Sequence, residues 1–206
     1  MDNSVIRKDC LEQYENQVKW LFGAFIRAYQ NCYYLKGIDE RRKQYLENQS
    51  EAIFFQYSIE FFYAIIYALQ KEAILLLCSI EDFNPKANSL SKLNNSLSEY
   101  AKDVKLIQDQ IVKKPKKRKI QHIRDCRNQK IAHIELGKEI DGVSMAEVEE
   151  RLNELRVCYN SYLFDGMIKY AINDNKLKDI EEDCCLGVNQ LFSGEMDKHF
   201  MRAERG

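Results

Sequence analysis

The stretch LEQYENQVKWLFGAFIRAYQNC, residues 11–32, decides the fold. Within it Leu11, Tyr14, Val18, Leu21, Phe25, Ala28 and Cys32 recur at alternating steps of three and four. On a helix of about 3.6 residues per turn these positions form one apolar stripe, regular enough to pack along the length of antiparallel neighbours in a bundle. Gly37 is a natural helix terminator. The spacing therefore predicts that the first helix closes there, with a short charged helix from about Asp39 to Asn48 and a second long helix from near Ser50. Between Phe54 and Leu69 this second helix is apolar on nearly every side, so neighbours should surround it, some of them from another subunit. Ile53–Leu69 is thus expected to be the central, most buried helix.

Further along, Asp82, Asn84 and Pro85 form a breaker cluster. Behind the N-cap candidates Asn88 and Ser89, a stripe of Leu90, Leu93, Leu97, Ala101 and Val104 continues at helical spacing. Ser144 and Glu147 fit the S-x-x-E capping box, opening a helix with Val148, Leu152, Leu155, Tyr159 and Tyr162 on one face. A last helix carries Leu177, Ile180, Cys184, Val188 and Leu191. No segment reads as a strand of comparable quality, and no internal repeat is present. Two prolines and eight glycines in 206 residues are too few for the frequent turns of a β fold. The expected fold is an all-α, antiparallel helix bundle in one domain over residues 1–206, with its core at about 11–172 and a helical extension at about 173–206.

A formal charge of −1 gives no global attraction to nucleic acid or acidic membranes, so any electrostatic footprint is local. The opening MDNSVIRKD lacks the apolar core of a signal peptide. The apolar stretch Ile53–Leu69 is broken by Gln56, Ser58 and Glu60 and followed by Lys71 and Glu72, short of the ~20 apolar residues of a membrane span. Seven cysteines without a metal-type CxxC pair read as reduced, mostly packed thiols; the adjacent Cys184 and Cys185 are either plain helix packing, the preferred reading, or a redox-active pair. Together these point to the cytoplasm and to no membrane.

One stretch departs from the bundle logic: VKKPKKRKIQHIRDCRNQKIAHIELGKE, residues 112–139. Six of the seven residues from Lys113 to Lys119 are basic: Lys113, Lys114, Lys116, Lys117, Arg118 and Lys119. Such a run is either a solvated loop or a patch that meets phosphates, since clustered Lys and Arg displace counterions from a nucleic-acid backbone. In the helix that follows, Ile120, Ile123, Ile131 and Ile134 share a narrow stripe with Arg127 at its centre. An arginine in a core-facing row is expensive to desolvate unless it is paired with an acidic side chain of a neighbouring helix or faces a cavity or interface. His133, preceded by Ala132, shares that helix with Asn128. His122 and Cys126 stand one turn apart but do not complete a tetrahedral ligand set, so no metal or other cofactor is expected.

Arg127-Asn128-Gln129-Lys130-Ile131-Ala132-His133 resembles the Arg-x(4–6)-His signature of the HEPN superfamily, in the R-[ND]-x-x-x-A-H form of its AbiU-like abortive-infection branch. Ile80-Glu81-Asp82 and Asn88-Ser89-Leu90-Ser91 also resemble that branch's acidic end to a central helix and its following helix start. The resemblance covers roughly Leu11 to Ile172. It implies a homodimeric helix bundle and a metal-independent endoribonuclease of a defence or toxin system, with one composite RNA-cleaving site formed by both motifs. His133 would act as base or acid, Arg127 would stabilise charge on phosphorus, and Asn128 would orient the phosphate or the histidine. Lys113 to Lys119, with Arg124 and Lys130, would guide the RNA. An antitoxin or other defence-system protein is a further possible partner. Some HEPN toxins carry a tyrosine two residues after the histidine, where a partner nucleotidyltransferase modifies them; here Glu135 stands there and adds negative charge. The alternatives from the residues alone are a non-catalytic HEPN-like domain that binds RNA or protein, and an unrelated helical adaptor.

Overall fold

A computed structural model describes residues 4–47, 52–84, 86–108, 123, 125 and 143–192. The helices are α1 (Leu11–Glu47), α2 (Ala52–Ile80), α3 (Leu90–Tyr100), α4 (Val104–Gln108), α5 (Met145–Asn160) and α6 (Asp174–Phe192), with short 3-10 turns at Lys8–Cys10 and Met167–Tyr170. Ile123 and Asp125 are also helical. The one β contact among the described residues is an isolated antiparallel bridge between Ile6 and Ala101. The chain is an all-α bundle, as the periodicity predicts.

The centre of the bundle is α1, not the helix containing Ile53–Leu69. Tyr14, Val18, Leu21, Phe25, Ala28 and Cys32 are all buried, and so are Ala24, Tyr29 and Tyr33 on a second side. Helices α2, α3, α5 and α6 all pack on α1. Phe62 is the sole buried residue between Phe61 and Leu69, while Phe61, Tyr63, Ala64 and Ala68 are exposed. Residues 53–60 of that expectation lie outside the described side chains. All-round apolarity in α2 states a demand for neighbours, and the described residues supply them only on one flank.

α1 also runs through Gly37 without a break, absorbing the charged segment after it into a 37-residue helix. Gly37 serves close packing instead of termination. A Cβ there would sit 3.1 Å from Val188 Cγ2 of α6, and one at Gly187 would sit 3.3 Å from Tyr34 Cε1 of α1. Two glycines facing two bulky residues let α1 and α6 approach closely. The charged turn itself is supported by Asp39, which pairs with Arg42 at 3.3 Å and Lys43 at 2.7 Å. Such exposed i,i+3 and i,i+4 pairs add a few tenths of a kcal/mol each.

The capping readings hold. Ser89 Oγ accepts from Lys92 N–H at the start of α3, and Ser144 with Glu147 forms both halves of the capping box of α5. The α3 stripe, however, stops at Tyr100. Ala101 turns extended to bridge Ile6, and Asp103 Oδ1 accepts from Lys105 N–H at 2.9 Å to start α4, whose Val104 is exposed. Tyr162 is fully buried as expected but lies just beyond the end of α5. The last helix buries Leu177, Ile180, Cys184 and Val188 against the bundle.

Tyrosines fill much of the core and bring their hydroxyls to partners, as buried Tyr requires. Tyr14 donates to Tyr162 O at 2.8 Å, Tyr159 to Tyr170 O at 3.1 Å, and Tyr162 to Asn94 Oδ1 at 3.3 Å. The N-terminal segment is held by Asp165, in the left-handed region at φ 48°. Its carboxylate accepts from Val5 N–H at 2.8 Å and Ile6 N–H at 2.6 Å, and Ser4 Oγ donates to it at 3.1 Å.

Candidate functional site

Arg127, Asn128 and His133 lie outside the described residues, as do Lys113 to Lys119, Arg124, Lys130 and Glu135. What is described is the frame on either side of them. Ile107 of α4 is buried on the way in, and Val143 is buried on the way out, just before the capping box of α5. Between them Ile123 is helical, 1% exposed and part of the main core. The first isoleucine of the motif stripe that can be placed is therefore a core residue.

The acidic end of α2 is built as a buried charge site. Arg151 of α5 donates through Nε to Glu81 Oε1 at 2.8 Å and through Nη2 to the same oxygen, while its Nη1 reaches Glu154. The side chains of Arg151 and Glu81 are 9% and 3% exposed. Burial opposes the charge on Arg151, but hydrogen bonds and attraction from Glu81 and then Glu154 outweigh it and raise its pKa. Desolvating an ion pair of this kind is costly unless several hydrogen bonds offset it, and here two from Arg151 converge on the single oxygen Glu81 Oε1. Next to it, Asp82 Oδ1 accepts from Asn84 N–H at 2.8 Å, closing the turn out of α2. Both segments that resemble the AbiU-like pattern thus have structural work: one anchors α2 to α5, the other caps α3.

Sequence reasoning missed Arg151. It sits three residues after Val148 and four before Leu155, in the same apolar row, which is the signal that singled out Arg127. Applied evenly, that signal finds both arginines, and at Arg151 it marks a core ion pair.

An open groove of about 390 Å³ lies between the start of α1 and the start of α3. Asp9, Glu12, Gln17, Asn88 and Lys92 line it, and Gln17 Oε1 is buried there without a hydrogen-bond partner. Two carboxylates against one lysine are the wrong balance for a polyanion, so this groove is not where phosphates would bind. Among the described residues no group of three His, Cys, Asp or Glu side chains is placed to hold a metal. By length and composition alone, Phe61–Ile80, which overlaps the apolar stretch Ile53–Leu69, is long and apolar enough to cross a membrane. Lys71 and Glu72 occupy its middle, and Glu72 bonds Arg27 and Asn31 of α1.

No curated protein and no solved structure matches the chain. A family model does: HEPN_AbiU2, described as AbiU2, over residues 11–165. The match begins with α1, takes in the acidic end of α2, the Ser89 cap, the whole of Arg127–His133 and α5, and stops before α6. The chain belongs to the AbiU2 family of HEPN domains.

Proposed function

We propose that this protein is a metal-independent endoribonuclease of a defence or toxin system, cleaving RNA at a composite site made by two copies of the chain. The observation that carries this is the family match across the complete Arg127–His133 motif. His133, near neutral pKa in water, takes the proton from a ribose 2′-hydroxyl. The 2′-oxygen then attacks phosphorus, the bond from phosphorus to the 5′-oxygen breaks, and the products are a 2′,3′-cyclic phosphate and a 5′-hydroxyl. A second histidine, His133 of the other copy, protonates that leaving oxygen. The planar guanidinium of Arg127 stabilises the charge that builds on the non-bridging oxygens, and Asn128 holds the phosphate or the imidazole in line. Lys113 to Lys119, with Arg124 and Lys130, hold the RNA backbone by charge, without reading sequence.

Two copies are needed on geometric grounds. On an ideal helix His133 is rotated about 120° from Arg127 and lies ~9 Å further along, so one helix presents the pair poorly to one phosphate. Two antiparallel copies about a twofold axis bring both pairs together.

The test is RNA cleavage by the purified chain with EDTA present. Cleavage is expected to persist and to leave 2′,3′-cyclic phosphate ends, while Arg127→Ala and His133→Ala each abolish it with helicity retained. Activity that stops on chelation, or survives both substitutions, overturns the proposal. The second reading, a non-catalytic HEPN domain that binds RNA or protein, is favoured by Glu135, whose charge sits two residues from His133. It stands if the folded chain binds RNA and cuts none.

A further inference from the structure

We propose that the groove between the starts of α1 and α3 is a docking site for an arginine side chain carried by a partner protein. This stands apart from the nuclease reading, because no residue of the Arg127–His133 motif takes part in it.

Two short stretches make the groove. The turn at Lys8–Cys10 and the first turns of α1 supply Asp9, Glu12, Gln13 and Asn16, all exposed. The entry to α3 supplies Asn88 and Lys92. Lys92 Nζ donates to Asn88 Oδ1 at 3.2 Å, which engages the two of them with each other on the α3 side. Among the described residues, Asp9 and Glu12 have no ion-pair partner. The α1 side therefore offers acceptor oxygens and two negative charges that nothing in the fold neutralises.

Gln17 sets this groove apart from an ordinary acidic surface. It lines the groove and is only 8% exposed, and its Oε1 has no donor. Native structures leave few buried acceptors in this condition, because each costs free energy that a ligand N–H would return. The terminal torsion of glutamine is broad, so the amide turns readily to meet a donor entering the groove.

The chemistry of the lining selects the ligand. Carboxylates and amide oxygens accept hydrogen bonds, so the ligand must be a cation rich in donors. A metal ion finds two carboxylates with a lysine across the groove, and among the described residues no group of three His, Cys, Asp or Glu side chains is placed to hold one. An ammonium concentrates its charge at one point and has three donors. A guanidinium spreads its charge over a plane and presents five, enough for both carboxylates and the Gln17 oxygen together.

The shape of the site assigns that guanidinium to a protein. The groove is open, so it accepts a side chain reaching in from outside and does not enclose a free small molecule. One turn beyond Asn16 on α1 stands Trp20, 39% exposed and the sole tryptophan of the chain. An exposed indole next to an acidic groove gives a second arginine a face to stack on. Tryptophan and arginine are also the residues enriched where a few side chains carry most of the energy of a protein contact.

Because Trp20 is the sole tryptophan, its emission follows binding without a label, with calorimetry as a second readout. The probes are acetyl-Arg-Gly-Arg amide, acetyl-Lys-Gly-Lys amide and free arginine, each titrated into the full chain at low salt. The arginine peptide is expected to bind saturably and about tenfold or more tighter than either of the others. Asp9→Asn combined with Glu12→Gln should weaken it by about tenfold or more, and Gln17→Leu by a smaller factor. Glu150→Gln, an exposed change on α5 outside the groove, should leave binding as it is. Circular dichroism checks that each variant keeps its helix. If Gln17→Leu does not fold, the Asp9–Glu12 variant, whose two changes are both on exposed side chains, decides alone. Absence of saturable binding in both readouts overturns the proposal, as does equal binding of the lysine peptide. Equal binding of free arginine assigns the groove to a small molecule and overturns it too. So does a loss with Glu150→Gln that matches the groove variant, or displacement of the arginine peptide by an RNA oligonucleotide. None of these outcomes bears on RNA cleavage, which the substitutions at Arg127 and His133 test separately.

Discussion

The two halves of α2 have the same character in sequence and opposite fates in the structure. From Ala73 to Glu81, six of the nine residues (Ala73, Ile74, Leu77, Cys78, Ile80 and Glu81) are buried. That half lies between α1 and α5 and is closed by the Glu81–Arg151 pair. From Phe61 to Leu69 only Phe62 is buried, and only a small satellite cluster with Ile38 and Val188 stands behind it. Hydrophobicity sets how much burial a helix demands; topology decides how much of that demand one chain can meet.

The largest expected effect tests the closed half. Replacing Arg151 by Met leaves Glu81 buried and without its arginine, a change worth about 3–5 kcal/mol in systems where one partner of a buried pair is removed. Replacing both, as Glu81→Leu with Arg151→Met, should recover most of that loss, because two apolar side chains can fill the site. Urea unfolding of the wild type, the singles and the double closes the cycle. If Arg151→Met unfolds within about 1 kcal/mol of wild type, the pair is not what anchors this half.

A smaller effect compares the halves directly. Leu77 is fully buried, and Leu77→Ala is expected to lose about 2–5 kcal/mol through lost contacts and the cavity left behind. Phe61→Ala removes a larger side chain, but Phe61 is half exposed, so the change should cost no more than about 0.5 kcal/mol. Equal losses for Leu77→Ala and Phe61→Ala in the dilute chain would erase the distinction between the halves.

What the sequence made legible followed local rules. The α1 stripe, the Ser89 cap and the Ser144–Glu147 box each depend on residues within a turn or two, and each is found where its spacing puts it. Gly37 was misleading because the same missing Cβ suits a helix end and a close helix contact, and only Val188, about 150 residues away, decides between them. Over Phe61–Leu69 periodicity overestimates burial, because it counts apolar residues and not the neighbours available to cover them. Arg151 was passed over although it breaks an apolar row just as Arg127 does. Its partner Glu81 is 70 residues distant, beyond any spacing rule. Of the candidate site, the motif Arg127–His133 was legible as a pattern and the family match contains it, while its geometry lies outside the described residues.

The smallest expected effect uses thiols as reporters of the same contrast. Cys78 sits on the closed half of α2 and is 2% exposed, and Cys184 on α6 is 1% exposed. Burial pushes the Cys184 thiol up to about 11 against an opposing hydrogen bond from Tyr34, so at neutral pH almost none of it is the reactive thiolate. Cys185, one residue on, is partly exposed. Peptide-level labelling with a maleimide at neutral pH should therefore modify Cys185 first among the described cysteines, without altering stability. Cys184 and Cys78 should follow only at the rate of opening of the bundle. Because the folded-state pKa of Cys184 is raised, its proton is held more tightly in the folded chain. The small stability this adds is complete below the ordinary thiol range and fades as pH rises from there through about 11. Introducing Arg151→Met should speed labelling of Cys78 by loosening the closed half, and should leave Cys185 as fast as before. Cys78 reacting as quickly as Cys185 in the wild type would mean that α2 is open along its whole length, and the contrast between its halves would be gone.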